Sequence, residues 1–247
     1  MRLDQALVKR GLVDSRSKAQ VLIRDGAVTV SGRLETKPSH QVTEHDEVSL
    51  SVSSVDVGRG AIKLRHALDH FGVTLFGLTV VDVGASTGGF TQVCLDQGAG
   101  HVVAIDVGHG QLDARLVSDP RVTNLEGVNI LQVTPEWWSG EGLPSDAGVV
   151  VADLSFISLQ KVIPTLVKLF PGAELVLLVK PQFEVGKGKT RGGIVRYGAD
   201  REEALVRVMD ACRAEGYKQV ASTPSPIEGK KGNVEFLVYA SRRDWAG

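Results

Sequence analysis

Val80-Val81-Asp82-Val83-Gly84-Ala85-Ser86-Thr87-Gly88-Gly89-Phe90 decides the fold: an apolar strand runs into a glycine-rich loop and then a helix. Glycines let backbone approach a ligand closely, and a helix N-terminus attracts negative charge. The spacing is Gly84-x-x-x-Gly88-Gly89, with an acid, Asp82, ahead of it. It departs from G-x-G-x-x-G, in which the second glycine clears room for a pyrophosphate. A carboxylate beside the loop is an awkward neighbour for phosphate.

Outward from the loop, apolar strands alternate with helices. Candidate strands are Thr79–Val83, His101–Asp106, Val122–Glu126, Val149–Asp153, Leu175–Lys180, Lys218–Ser222 and Val234–Ala240. The clearest helical stripe is Leu159, Val162, Ile163, Leu166, Val167 and Phe170. Near-continuous Val/Leu/Ile runs predict strands buried on both faces, hence an α/β, doubly wound, mainly parallel sheet. The two closely spaced final strands predict a hairpin or an antiparallel edge.

The loop resembles the D-x-G-x-x-x-G signature of class I (Rossmann-like) methyltransferases, which use S-adenosylmethionine. That molecule carries a sulfonium, an ammonium and a carboxylate but no phosphate, so an acid beside the loop suits it. The resemblance implies cofactor contacts from Asp82, Gly84, Ala85, Ser86, Gly88, Gly89, Phe90, Asn129 and Asp153. Asp106 ends the next strand, 22 residues after Gly84, where an acid can bind ribose hydroxyls. Gly186-Lys187-Gly188-Lys189-Thr190 ends like a phosphate-binding loop, but Phe183 stands where that motif needs glycine, and the segment reads as a basic loop.

Residues 1–52 read as a separate small α+β domain. Leu3, Ala6 and Leu7 form one helical stripe ended by Gly11. Asp14-Ser15 offers an N-cap, and Ala19, Leu22 and Ile23 form a second stripe ended by Gly26. Val28 and Val30 alternate up to a Ser31-Gly32 turn, and Val48, Leu50 and Val52 alternate again. The order Arg2-Leu3-Asp4, Ser15-Arg16-Ser17-Lys18-Ala19, Leu22-Ile23, Gly26-Ala27-Val28 resembles the αL RNA-binding motif of ribosomal protein S4. Residues 53–60 are small, polar and glycine-containing, and read as the linker to a domain at 61–247.

Net charge is only −1, but it is unevenly spread. Residues 1–37 carry eight Lys/Arg against four acids, and residues 180–201 carry six against two, leaving the remainder at −9. Two +4 segments on an acidic background suit a polyanion that touches two places. Arg2, Arg16, Lys18, Arg24, Arg59, Lys187, Lys189 and Arg191 are the candidate RNA contacts. With 247 residues there is room for one full α/β domain and a small module. Met1–Gln5 reads as amphipathic rather than as a signal peptide, and no apolar run could span a bilayer. Cys94 and Cys212 are too few for a disulfide framework, which points to packing roles and a cytoplasmic setting. The six histidines do not cluster, so no metal is expected.

Asp153 and Lys180 end the fourth and fifth strands of the large domain, where an open α/β sheet presents its ligand crevice. Lys63 opens the helix before the first of those strands, and Glu235 falls in the last. Methylating a hydroxyl needs a proton acceptor, and a lysine serves if burial and a second lysine favour its neutral form. Carboxylates would orient the amines but pull the other way, and two structural salt bridges are the alternative. Phe156 and Phe183 follow the two strand ends; core packing is the default for phenylalanine, with stacking on a splayed base as the alternative.

These segments, with the N-terminal module, resemble the TlyA family over essentially the whole chain. That resemblance implies an FtsJ-like ribose 2′-O-methyltransferase domain with a catalytic Lys63–Asp153–Lys180–Glu235 tetrad. It implies a cytidine 2′-hydroxyl in ribosomal RNA as acceptor, and the start at Arg2-Leu3-Asp4 resembles the shorter members that act on 23S rRNA. Ile130 follows Asn129 where the pattern expects a basic residue. A ribosomal RNA or ribosomal subunit is the implied partner, with no membrane and no obligate protein partner. Two other classes stay open: a membrane-active protein, since some members carry a haemolysin label, and a non-catalytic ribosome-assembly factor. A base methyltransferase would place Asn/Asp-Pro-Pro-aromatic where Asp153-Leu154-Ser155-Phe156 stands.

Overall fold

The computed structural model describes residues 1–13, 15–24, 28–50, 59–186, 188–229 and 232–243, and only the backbone of Lys18. The expected cap at Asp14, the stop at Gly26, Val52, the linker residues 53–58 and Lys187 lie outside the described residues.

The N-terminal module packs α1 (Leu3–Lys9) and α2 (Arg16–Arg24) on a small antiparallel sheet of β1 (Val28–Val30), β2 (Arg33–Leu34) and β3 (Val48–Leu50), in the order β2-β1-β3. Leu3, Ala6, Leu7, Ala19, Ile23, Val28, Val42 and Val48 form a core that shares no residue with the rest of the protein's core. Helical spacing puts Leu3, Ala6 and Leu7 on one stripe of α1 and Ala19 and Ile23 on one of α2, and Gly11, at φ +67°, takes the left-handed turn that releases the chain from α1.

The larger part begins at α3 (Gly60–Phe71), followed by β4 (Thr79–Val83), α4 (Gly89–Asp96), β5 (His101–Asp106), α5 (Ala114–Val117), β6 (Val122–Glu126) and α6 (Pro135–Gly140). After these come β7 (Val149–Ala152), α7 (Leu159–Leu169), β8 (Glu174–Val179), α8 (Pro181–Glu184), α9 (Gly198–Ala214), β9 (Gln219–Pro224) and β10 (Phe236–Ser241). Among the described residues, seven strands order as β6-β5-β4-β7-β8-β10-β9, the first five parallel and β10 antiparallel to both neighbours.

Alternate strand residues bury on opposite faces. Val80, Val102, Val149, Val176 and Leu178 pack with Leu64 of α3 and Val93 of α4, while Val81, Val103, Val150, Leu175 and Leu177 pack with Ile163 of α7 and Val208 of α9. This two-sided burial is why the strands read as unbroken apolar runs. Cys94 and Cys212 are buried on opposite sides of the sheet as free thiols. The connection leaves β4 toward β5 on one side and resumes at β7 on the other, so the crevice opens between the carboxyl ends of β4 and β7.

Of the strand ends that differ from the sequence expectation, three bear on the site. β7 stops at Ala152, β8 at Val179, and β10 starts at Phe236, leaving Asp153, Lys180 and Glu235 each one residue outside its strand. Pro181 explains the second, because proline has no N–H for the ladder and its fixed φ suits the first position of a helix. Lys180 is thus the N-cap of α8. Ahead of β10, Gly229 N–H donates to Asn233 O (2.7 Å) in a turn that delivers Glu235 at the strand's mouth.

Candidate active site

The crevice widens into a cavity of about 630 Å³ whose lining includes Gly60, Lys63, Gly84, Ala85, Ser86, Gly89, Phe90, Asp153, Lys180 and Glu235. Two lysine–carboxylate pairs line it. Lys180 Nζ lies 2.5 Å from Asp153 Oδ1, and Lys63 Nζ lies 2.5 Å from Glu235 Oε2. The second pair is the more enclosed, with side chains 9% and 2% exposed against 12% and 24% for Lys180 and Asp153. Lys180 therefore reaches the open cavity beside a half-exposed carboxylate, whereas Lys63 is gripped by a buried one. Lys180 Nζ also donates to Ser155 Oγ (3.0 Å).

The glycine loop sits hard against the turn that bears Asp153. Asp153 N–H donates to Val83 O (3.1 Å), and a Cβ at Gly84, whose φ is +89°, would meet Asp153 O at 2.6 Å. Any other residue at 84 would push the loop and Asp153 apart. Gly88, at φ +100°, abuts Leu112 and Leu116, so it serves packing and does not line the cavity.

Asp106 joins the loop to the following turn: Oδ2 accepts from Ser86 N–H (2.8 Å) and Oδ1 from Gly108 N–H (2.7 Å). Asp82 is wholly buried under the loop. Its Oδ2 accepts from Thr91 Oγ1 (2.6 Å), and its Oδ1 has no hydrogen-bond partner. Burial, opposed by the Thr91 bond and reinforced by the charges of Asp153 and Asp106, pushes the Asp82 carboxyl up to about 7. Three carboxylates thus converge beneath a loop that bears no basic side chain, which suits a cationic ligand and repels a phosphate.

The other expected site residues divide. Asn129 caps the single turn Ile130–Gln132 by accepting from Leu131 N–H (3.1 Å) and does not line the cavity; neither do Asp82 and Asp106. Arg24 and Arg59 do, and Arg59 also donates to Glu228 O (2.6 Å). Arg2 and Arg16 both donate to buried Asp4, at 3.0 and 2.9 Å, which holds their guanidinium groups partly exposed. Lys189 is held by Asp200 (2.8 Å) and Glu203, so its charge is already matched. Arg191 is exposed and bridges to Ile194 through its backbone.

The core-packing expectation for Phe156 is overturned. The residue is 91% exposed, takes φ +67°, and its ring centroid lies 5.2 Å from that of Phe183 on the cavity wall. A bulky residue in the left-handed region is strained, and here the strain turns the ring outward. Sequence reasoning missed Asn233, 3% exposed, which accepts from Val195 N–H (3.2 Å) and donates to Gly193 O (2.9 Å). It ties the basic loop to the Glu235 segment, and only its place two residues before Glu235 could have flagged it.

Among known proteins, the FtsJ-like methyltransferase family matches residues 57–242 and the S4 domain matches residues 1–48. The chain is 44% identical to the 16S/23S rRNA (cytidine-2′-O)-methyltransferase TlyA of Mycobacterium tuberculosis, over 96% of this chain and 88% of that protein. It is 39% identical to Hemolysin A of Brachyspira hyodysenteriae, over 97% and 99% respectively. A solved hemolysin-named protein from Streptococcus thermophilus superposes with a TM-score of 0.74 at 35% identity, covering 99% of this chain and 89% of that one. The doubly wound sheet is the class I methyltransferase fold, and the chain belongs to the TlyA family, joining an S4 domain to an FtsJ-like methyltransferase domain.

Proposed function

We propose that this protein methylates a cytidine ribose 2′-hydroxyl in ribosomal RNA, 23S rRNA in the first instance, using S-adenosylmethionine. The observation that carries the reading is the Lys180–Asp153 pair, open to the cavity at the mouth of the glycine loop. The name of the similar M. tuberculosis enzyme points to the same chemistry. When bound, S-adenosylmethionine supplies a methyl group on a sulfonium, which departs as a neutral thioether. The acidic surroundings of Asp82, Asp106 and Asp153 fit that cation, with Gly84, Ala85, Ser86, Gly89 and Phe90 forming the wall against which it would lie. Ser86 and Gly108 occupy one lone pair on each Asp106 oxygen, leaving capacity for a ribose hydroxyl.

In this reading Lys180 Nζ passes a proton to Asp153 as it takes the one on the 2′-oxygen, so that the pair together is the base, and Ser155 helps fix the amine at the end of β8. Lys63 and Glu235 line the same cavity. Phe156 and Phe183 offer a platform for an unstacked base. Arg24, Arg59 and the Asp4-held Arg2 and Arg16 would take RNA phosphates; we assign Lys18, Lys187, Lys189 and Arg191 to the same surface from charge alone. We assign the S4-type domain to residues 1–52 and the methyltransferase domain to 61–247, joined by 53–60; the division is supported by family matches at 1–48 and 57–242. No helix among the described residues is long and apolar enough to cross a membrane.

Lys180→Ala should lower the single-turnover methylation rate by about 10²–10⁴-fold with cofactor and RNA affinity little changed. Lys180→Arg should be nearly as damaging, because a guanidinium cannot accept a proton at neutral pH. An active Arg variant would move the base role elsewhere, first to Lys63. Mapping ribose methylation on both 16S and 23S rRNA after reaction identifies the acceptor.

A further inference from the structure

We infer that Glu184 is a positioning residue for the reaction, a strut that sets the separation of Lys180 and Asp153. The inference rests on the reading of Lys180 as the catalytic amine. Glu184 ends α8, the single turn that Lys180 begins, so the two residues are held in a fixed relation by four residues of backbone. Its carboxylate is 5% exposed and points away from the cavity, across to the neighbouring loop. There Oε2 accepts from Ser158 Oγ (2.6 Å) and Gln160 Nε2 (3.1 Å), and Oε1 accepts from Leu159 N–H (2.8 Å).

These three donors belong to the start of α7, the helix that follows directly on Asp153-Leu154-Ser155-Phe156-Ile157. The turn after β8 and the turn after β7 are therefore linked twice. Lys180 makes the cavity-side link to Asp153 and Ser155, and Glu184 makes the buried link behind it. The ring pair Phe156–Phe183 lies between the same two turns.

Helix capping alone does not account for the arrangement. Ser158 already caps α7 by accepting from Gln160 N–H (3.2 Å), so the local sequence supplies its own cap. Glu184 comes from another segment, and a charged acceptor at a helix N-terminus binds more firmly than a hydroxyl. Buried and bonded to three donors, it can move only if α7 and α8 move with it. Without it, the β7–β8 ladder and the Phe156–Phe183 contact remain, but the polar link between the two turns runs only through the reactive groups, which must shift when the substrate hydroxyl enters. A displacement of about 1 Å at a reacting amine costs about 10²-fold in rate.

The test is methylation of rRNA under single-turnover and steady-state conditions by the full chain, with Glu184→Ala, Glu184→Gln and Ser158→Ala, and Lys180→Ala alongside. Glu184→Ala should lower kcat about 10–100-fold, with the RNA KM and cofactor affinity within about two-fold. Glu184→Gln keeps an acceptor for Leu159 N–H and should recover part of that loss. Ser158→Ala removes one of the same bonds, leaves the fold's buried carboxylate in place, and should give a smaller kcat effect in the same direction. It decides the matter if Glu184→Ala does not fold. Wild-type kcat in a folded Glu184 variant, or a loss expressed in KM or in cofactor affinity, overturns the strut while leaving Lys180's role intact. A Lys180→Ala enzyme with wild-type rate overturns both.

Discussion

Asp82→Asn should make the protein more stable at pH 8 and less stable at pH 4.5. Asp82 is completely buried, with one carboxylate oxygen bonded to Thr91 and the other unpartnered, and its carboxyl is pushed up to about 7. The folded protein thus holds this proton more tightly than the unfolded chain does. Stability from this group is highest below about pH 4, falls as pH rises through the window from about 4 to 7, and is at its minimum above it. The gap between about 7 and the ordinary aspartate value near 4 corresponds to about 4 kcal/mol over that window.

Asparagine does not titrate and keeps an acceptor for Thr91, but its amide N–H would occupy the unpartnered position at a cost of about 1–3 kcal/mol at every pH. The variant should therefore gain about 1–3 kcal/mol on the wild type at pH 8 and lose up to about 2 kcal/mol at pH 4.5, with the curves crossing between about pH 4.5 and 6. At about 2–4 °C per kcal/mol for a protein of this size, that is a readable shift. Thermal melts followed by tryptophan fluorescence report the larger domain, since Trp137, Trp138 and Trp245 all follow residue 60. Calorimetry adds a second reading: wild-type affinity for S-adenosylmethionine should rise with pH through 7, because a cation favours the ionised carboxylate, and the variant should lack that rise. Parallel stability curves for the two proteins from pH 4.5 to 8 would refute the reasoning.

Asp106→Ala should weaken S-adenosylmethionine by about 1.5–3 kcal/mol and also loosen Ser86 and Gly108, whose N–H groups it binds; unchanged calorimetric affinity in a folded variant would remove it from the cofactor site. Deleting residues 1–52, whose core is separate, should leave cofactor affinity nearly intact and abolish rRNA methylation at physiological salt. A truncated enzyme as active on rRNA as the full chain would show that the first domain does not hold the substrate.

The fold was legible because its determinants are periodic. Five parallel strands buried on both faces leave unbroken Val/Leu/Ile runs, and three of the predicted spans, Thr79–Val83, His101–Asp106 and Val122–Glu126, coincide with β4, β5 and β6. At their cavity ends, the strands beside Asp153 and Lys180 were each placed one residue too long and the strand beside Glu235 two residues too long. A functional side chain at a strand mouth lies where ladder bonding gives way to turn geometry, and hydropathy barely changes across that step.

Composition and motif by themselves determined the two domains, the glycine loop and the identity of the four residues at the cavity, since all of these depend on residue type and spacing along one chain. Which of them touch was decided by the tertiary structure. Lys63 and Glu235 lie 172 residues apart and meet at 2.5 Å because α3 packs beside β10. Phe156 turns outward through a backbone angle that no propensity announces, and Lys189, one of several similar cations in sequence, is held by Asp200 and Glu203. Glu184 reads in sequence as one more surface acid; it becomes a buried link only when β7 and β8 lie side by side and bring their turns within hydrogen-bond reach. Local pattern is carried by near neighbours, whereas pairing and burial arise from contacts between distant segments, which exist only once the sheet has assembled.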